Sequence, residues 1–468
     1  MENTITYLRQ VFQERSIIIE EKNKRLFTEF CNQANNQSDV NKIFEVQAMV
    51  IKNWELFTRI ADIQKQSFLF PNASVGKHYE HRLDFEKLEI QDIAELRFTG
   101  LEEIGLAYDP ETKVISGNPT TSGDVRIQVD FLLKDQADLS KYNEKVIVLI
   151  INPDPKSLWK DLPSSKEDKF WKEDNVELSG TFLDKNIVIS SKRGRSHANV
   201  GSARDDDFAY QNYENGWGIL AVSDGAGSAA YSREGSKIAC EFVVEYFSTQ
   251  SNDPEFVAFD DLIQDYHAAQ SPEINQQINR FIYNELGRGA LQTHKKLESA
   301  AAGLGIAFKE LNATFIFSLV KKYSFGYVIL SFSVGDCPIA LLNKDLNEVN
   351  LLNHLDVGEY GGGTRFITMP EIFEPAKLQN RFSFKVVEDF SYLMLMTDGI
   401  YDPKFVTEAN LENIDKWNTF LSDLKGANPD EAAVNFDYDN QNIAMELSNW
   451  MDFWDSGNHD DRTLAIIF

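Results

Sequence analysis

The chain is short of positive charge, of cysteine and of long apolar runs. Its 46 lysines and arginines face 73 aspartates and glutamates, a formal net charge of −27 at pH 7. So acidic a balance argues against binding the phosphate backbone of nucleic acid or an anionic membrane surface. It leaves room for divalent cations wherever carboxylates converge. The three cysteines, Cys31, Cys240 and Cys337, lie far apart and in no CxxC pair. They are too few for a disulfide framework and read as buried thiols of a reducing compartment. The longest apolar runs, Val146–Ile151 and Tyr392–Met396, fall far below the ~20 residues that span a bilayer. The opening stretch MENTITYLRQVFQERS lacks the apolar core of a signal peptide. The expectation is a cytoplasmic protein with no nucleic-acid or membrane partner.

The 468 residues are 43% hydrophobic and 25% charged, an ordinary globular composition with room for about three domains. Residues 1–84 read as helical: Leu8, Val11 and Phe12, then Leu26, Phe27 and Phe30, then Val46, Met49, Val50 and Trp54 recur at helical spacing. Asn35–Ser38 (NNQS) reads as a loop between helices. Residues 85–153 change texture. Val125, Ile127, Val129, Phe131 and Leu133 alternate with Arg126, Gln128 and Asp130, the period of a half-buried strand. Turn signals at Asp109-Pro110 and Gly117-Asn118-Pro119 separate further short strands, which together suggest a small β-sandwich. The segment LAYDPETKVISGNPTTSGDVRIQV resembles the immunoglobulin-like modules of bacterial multidomain proteins, with Lys113 where that family usually has glycine. The resemblance implies a module for spacing or recognition. Residues 154–176, rich in proline, serine and charge, read as a linker. Residues 177–468 mix strands (217–222, 313–320, 326–334, 339–342, 392–396, 464–468) with helices (235–247, 274–311), an α+β sandwich.

The chemistry gathers at strand ends. Asp205-Asp206-Asp207 precedes Phe208, Asp224-Gly225 follows GILAVS, Gly335-Asp336 follows ILSFSV, Asp398-Gly399 follows YLMLMT, and Asp460-Asp461 precedes RTLAIIF. One acid at a sheet rim is ordinarily just solvated. Five such sites on one sandwich can converge, and packed carboxylates repel one another until cations relieve them. With oxygen ligands and almost no histidine or cysteine, the set suits Mg²⁺ or Mn²⁺ better than Zn²⁺. Two such ions can lower the pKa of a shared water and neutralise phosphoryl oxygens, the requirement of phosphate-monoester hydrolysis. Gly361–Gly363 is followed by no Gly-Lys-Ser/Thr, so it is not a nucleotide loop, and Asp437, Asp439 and Gln441 lack the glycine of an EF-hand.

Taken in order, SKRGRSHANVGSARDDDFAY, VSDGAGSAAYSREGSKIAC, ATFIFSLV, VGDCPIALL, GEYGGGTRFIT, LMTDGIYD and HDDRTLAIIF resemble the successive motifs of the metal-dependent 2C-type Ser/Thr protein phosphatases, the PPM family, in its bacterial variety. The resemblance implies an α-β-β-α sandwich that removes phosphate from serine and threonine of phosphorylated proteins, with two Mg²⁺ or Mn²⁺ ions and a third, weaker site. Asp224 would bridge both metals and the Gly225 carbonyl would ligate the second. Asp398 and Asp460 would complete the first, Asp206 would hold the second metal's waters, and Asp336 with Asp398 would form the third site. Asp205 and Asp207 compete with Asp206 for its register. Arg195 and Arg204 compete to grip the substrate phosphate, and His197 stands as a proton donor to the leaving alkoxide or as a structural residue. A cognate Ser/Thr kinase is a family-level expectation for a partner. Three departures stand out: the triple aspartate, Cys337 in place of a serine after Gly-Asp, and Gly361–Gly363 in a usually more polar flap. The alternatives are a pseudophosphatase scaffold that binds a partner through its N-terminal regions, and a nucleotide or second-messenger hydrolase with the same metal chemistry.

Overall fold

The computed structural model describes residues 2–136, 141–356 and 363–468. They form two compact units, Met1–Leu158 and Trp159–Phe468. Among the described residues no helix is long and apolar enough to cross a membrane.

The first unit opens with three helices, α1 (Glu2–Glu14), α2 (Lys24–Cys31) and α3 (Ala34–Lys65). Asn35–Ser38, expected as a loop, lies in the first turn of α3 instead. The break falls at Gln33, whose extended backbone caps the helix. The Asn36 amide then donates to the Phe30 carbonyl at 2.7 Å, satisfying an acceptor freed at the end of α2. Seven strands follow: β1 (Ala73–Ser74), β2 (Tyr79–Arg82), β3 (Ile93–Thr99), β4 (Leu106–Asp109), β5 (Val114–Gly117), β6 (Gly123–Leu133) and β7 (Asn143–Asn152). The helices therefore stop at Lys65, and β1 and β2 occupy part of the stretch read as helical. The strands make a four-stranded sheet, β1-β7-β6-β3, and a three-stranded one, β2-β5-β4. Alternation on β6 buries Ile127, Val129 and Phe131 in the core that the two sheets share with Ile63 of α3. Lys113, at the turn before β5, adopts φ +59°, a conformation that favours glycine. Its ammonium lies 4.0 Å from the centre of the Phe85 ring.

The second unit is built on eleven strands: β8 (Asn175–Phe182), β9 (Lys185–Lys192), β10 (Asp207–Asn212), β11 (Trp217–Ser223), β12 (Phe315–Tyr323), β13 (Gly326–Val334), β14 (Ile339–Asn343), β15 (Val349–Leu351), β16 (Phe382–Val387), β17 (Phe390–Met396) and β18 (Arg462–Ile467). Its helices are α4 (Arg195–Val200), α5 (Ser232–Gln250), α6 (Pro254–Ala268), α7 (Pro272–Leu304), α8 (Pro375–Leu378), α9 (Asp398–Phe405), α10 (Ile414–Leu424) and α11 (Ile443–Trp450). The strands form two sheets, β10-β11-β12-β13-β16 and β15-β14-β17-β18-β9-β8. Leu220, Val222, Ile316 and Ile329 of the first meet Ile189, Ile339, Leu395 and Ile467 of the second. Residues of opposite parity face outward. Ile219 and Ala221 pack under α5, α6 and α7, while Met394, Met396 and Leu464 pack under α9, α10 and α11. Strands buried on both faces need mostly apolar residues, which is why β11, β13 and β18 read as near-continuous runs. The result is four layers, helices–sheet–sheet–helices.

Residues 159–176, read as linker, belong to this second unit. The Trp171 indole donates to Ser164 Oγ at 2.9 Å, and the half-buried Lys172 pairs with Asp207 of β10 at 2.9 Å. Of the flap reading GEYGGGTRFIT, residues 358–362 lie outside the described residues, and 363–368 lie within them.

Candidate active site

Five loops at one end of the two sheets supply the acids. β11 delivers Asp224, and Gly225 bridges to Ala313 just before β12. A Cβ on Gly225 would stand 2.7 Å from the Asp205 carbonyl, so only glycine lets these two acidic loops touch. β17 ends at Thr397, and Asp398 opens α9. A Cβ on Gly399 would fall 1.9 Å from the Asp461 carbonyl oxygen, so the Asp398 and Asp460–Asp461 loops likewise meet only through glycine.

Asp206, Asp224, Asp336, Asp398 and Asp460 form one electrostatic cluster. Burial raises the Asp224 carboxyl well above its ordinary value, and the charges of Asp398, Asp206 and Asp460 raise it further. Burial and then Asp460, Asp336 and Asp206 do the same to Asp398. Burial and Asp461 push Asp206 up to about 7, and burial raises Asp336 and Asp460. Asp206 is fixed from behind: Oδ2 accepts from Thr397 Oγ1 at 2.8 Å and Thr463 Oγ1 at 2.7 Å. Asp224, Asp336 and Cys337 each offer a ligand atom within 4.8 Å of the others.

This arrangement fits cations. The Oδ1 atoms of Asp206, Asp336 and Asp398 are buried and accept no hydrogen bond. A buried carboxylate oxygen without a donor is costly, and several repelling carboxylates aggravate the cost. Hard divalent ions remove both penalties, and oxygen donors are what Mg²⁺ and Mn²⁺ prefer.

A second cluster braces the first. Asp461 is 1% exposed and accepts from the backbone N–H of Gly194 and Asp205 and from His197 Nδ1, the last at 3.0 Å. Burial would raise its carboxyl, but the bond to His197, that ring's charge and the two N–H groups hold it below the usual range. Burial would lower the His197 pKa, but its hydrogen bond to Asp461 and the charges of Asp461, Asp205 and Asp460 bring it to about 9. His197 Nε2 lies 3.4 Å from Asp205 Oδ2, so both ring nitrogens face carboxylates of the framework. Asp205 also takes Ser232 Oγ at 3.0 Å and Arg233 Nε at 3.2 Å.

The three consecutive aspartates thus point three ways. Asp205 meets His197 and Arg233, Asp206 meets the acid cluster, and Asp207 meets Lys172. Lys172 Nζ donates to the Asp206 carbonyl at 2.6 Å and to Asp207 Oδ2 at 2.9 Å. Nothing in KEDKFWKED distinguishes this half-buried lysine from its exposed neighbours, so sequence reasoning missed it. It missed Thr397, Thr463 and Arg233 as well. Their only signal is adjacency to the acidic motifs.

The two candidate arginines differ in their surroundings. Arg204 is 2% exposed and spends its guanidinium on Ser191 Oγ, the Asp206 carbonyl and the Glu173 carbonyl. Arg195 is half-buried, donates from Nη2 to the Asp452 carbonyl at 2.8 Å and lies 5.2 Å from the centre of the Trp454 ring.

The protein phosphatase 2C family model matches residues 193–435, more than half of the chain. Asp206, Asp224, Asp336 and Asp398 fall inside the match, and Asp460 lies beyond it. No curated protein matches. Among solved structures, the chain is similar to a serine/threonine phosphatase from Staphylococcus aureus, at 14% identity and TM-score 0.36, covering 64% of this chain and 98% of that one. It is also similar to a serine-threonine phosphatase 2C from Toxoplasma gondii, at 12% identity and TM-score 0.39, covering 63% and 98%. A bacterial serine phosphatase aligns at 13% identity and TM-score 0.37, covering 62% and 99%. The family match carries the assignment: the chain belongs to the protein phosphatase 2C family and is a protein-serine/threonine phosphatase.

Proposed function

We propose that this phosphatase hydrolyses phosphoserine and phosphothreonine esters with water activated by a pair of Mg²⁺ or Mn²⁺ ions. The observation that carries the reading is the cluster of buried, mutually repelling carboxylates with three oxygens left unsatisfied. Asp224 would bridge the ions, the Gly225 carbonyl would ligate the second, and Asp398 and Asp460 would complete the first. Asp206 would orient waters at the second ion, and Asp336 with Asp398 would hold a third, weaker one. When bound, such a pair supplies an acidified water and offsets charge on the phosphoryl oxygens.

The chain's own residues do the rest. Thr397 and Thr463 aim Asp206 at Asp224. Charged His197 holds the Asp461 carboxyl below its usual range, and Asp461 in turn pins the Gly194 and Asp205 backbones. His197 is therefore a positioning residue in this proposal rather than the leaving group's proton donor. With Arg204 spent on internal partners, Arg195 is the arginine that would grip the substrate phosphate, with the planar fork that suits it. The substrate is a phosphorylated protein made by a Ser/Thr kinase. The immunoglobulin-like reading of residues 85–153 makes the first unit a spacer or recognition module, and the acidic surface and reduced thiols suit the cytoplasm.

The test is hydrolysis of a phosphoserine or phosphothreonine peptide by the full chain with Mn²⁺, Mg²⁺ or chelator. Turnover that needs the metal and vanishes in Asp224→Asn supports the proposal. Equal rates with and without chelator, or an unaffected Asp224→Asn variant, overturn it.

A further inference from the structure

Cys337 occupies an unusual place for a thiol. It directly follows Asp336, is fully buried, and its Sγ lies 3.2 Å from Thr314 Oγ1. Thr314 in turn holds the Asp224 loop: its N–H donates to the Asp224 carbonyl at 2.8 Å, and its hydroxyl accepts from the Asp224 N–H at 2.9 Å. The thiol is thereby seated against the bridging carboxylate, and Asp224, Asp336 and Cys337 offer ligand atoms within 4.8 Å of one another. A second, independent feature points the same way. Asp336 is 9% exposed, and its Oδ1 is buried without a hydrogen-bond partner. The other oxygen, Oδ2, accepts from Thr364 Oγ1 at 2.8 Å.

We propose that Asp224, Asp336 and Cys337 form a mixed carboxylate–thiolate site for a thiophilic divalent cation such as Zn²⁺ or Cd²⁺. Zinc takes thiolate sulfur at about 2.3 Å and carboxylate oxygen at about 2.0–2.2 Å, so its ligand atoms lie about 4 Å apart. Closing the three atoms to that spacing needs movement of about 1 Å or less. Binding replaces the sulfhydryl hydrogen by the metal, and the proton leaves to solvent. An all-oxygen set selects hard ions, whereas one thiolate shifts preference toward soft ones. Because Asp224 is shared, a soft ion here competes with the bridging role proposed above. The site gives this phosphatase a zinc- or cadmium-sensitive off state. That consequence rests on the two-metal reading, whereas the cation site itself does not.

The experiment uses the full chain stripped by chelation and titrated with Cd²⁺, read by thiolate-to-cadmium ultraviolet absorption and by proton release. The expected result is a band saturating at one ion per chain, absent from Cys337→Ser and retained in the Cys31→Ser, Cys240→Ser double variant. Circular dichroism establishes that each variant is folded. Should Cys337→Ser fail to fold, Asp336→Asn keeps every thiol and weakens cadmium binding by more than an order of magnitude. No band in the wild type, a band surviving in Cys337→Ser, or unchanged affinity in Asp336→Asn overturns the proposal. Peptide hydrolysis with Mn²⁺ is measured separately. A chain with the band but no turnover keeps this site and loses the proposed reaction, and turnover without the band does the reverse.

Discussion

Replacing Asp206 by asparagine should make the metal-free protein more stable while destroying its use of metal. The side chain is buried, and its pKa is pushed from 3.8 up to about 7. The folded state therefore keeps a proton that the unfolded chain has already released. Stability falls as pH rises from about 4 to about 7, and above that window the whole cost stands. A pKa rise of that size corresponds to about 4 kcal/mol. The amide removes the charge at constant shape. Its oxygen can accept from Thr397 and Thr463 as Oδ2 now does, and its NH₂ replaces the unsatisfied Oδ1 with a donor toward Asp224. In chelator at about pH 8, Asp206→Asn should raise the Tm by an amount on the order of 10 °C. At about pH 4 the difference should nearly vanish. Adding Mn²⁺ should stabilise the wild type more than the variant and narrow the gap. The measurement is thermal and urea unfolding at both pH values, with and without the ion. A variant less stable than the wild type in chelator at about pH 8, or a gap independent of pH, would refute the reasoning.

His197 works with the opposite sign. Its folded pKa of about 9 exceeds the ordinary 6.5, so its contribution, about 3 kcal/mol, is complete below the lower value and disappears as pH climbs through the higher one. His197→Asn should flatten that alkaline loss in urea unfolding at about pH 6 and about pH 10. Lys172→Met should cost about 2–3 kcal/mol in chemical denaturation, because it leaves the largely covered Asp207 without its cation. A fragment of residues 159–468 should fold and hydrolyse phosphopeptide, whereas one of residues 177–468, lacking Trp171 and Lys172, should unfold at markedly lower temperature. Equal melting of the two fragments would show that the segment is dispensable.

The sequence shows the catalytic layer more plainly than its supports. A strand buried on both faces is mostly apolar, so an acid and a glycine at its end stand out, as at Asp224-Gly225 and Asp398-Gly399. Helical periodicity found α5 and α7 for the same reason. The supports carry no such contrast. Lys172 sits in a charge-rich run whose burial depends on what folds over it, and Arg204 resembles any arginine beside an acidic motif until its guanidinium is seen turned inward. The NNQS stretch misled because polar residues suit a loop and an exposed first helical turn equally well. Lys113 holds a glycine-like conformation without being glycine, which neither composition nor periodicity reveals.

The pairing of β9 with β18 has a consequence for how the pocket comes into being. Ser191 and Thr463 share a hydrogen bond although 272 residues separate them. A nascent chain can complete the first unit and the five-stranded sheet early, but the six-stranded sheet stays split until β18 arrives between β9 and β17. Until then Asp460 and Asp461 are missing, and β9 and β17 expose unpaired edges. Closing so long a loop is slow, and open edges invite aggregation. Chains in which β18 has yet to be made should therefore depend on chaperones and bind no metal, gaining both independence and cation affinity in one step.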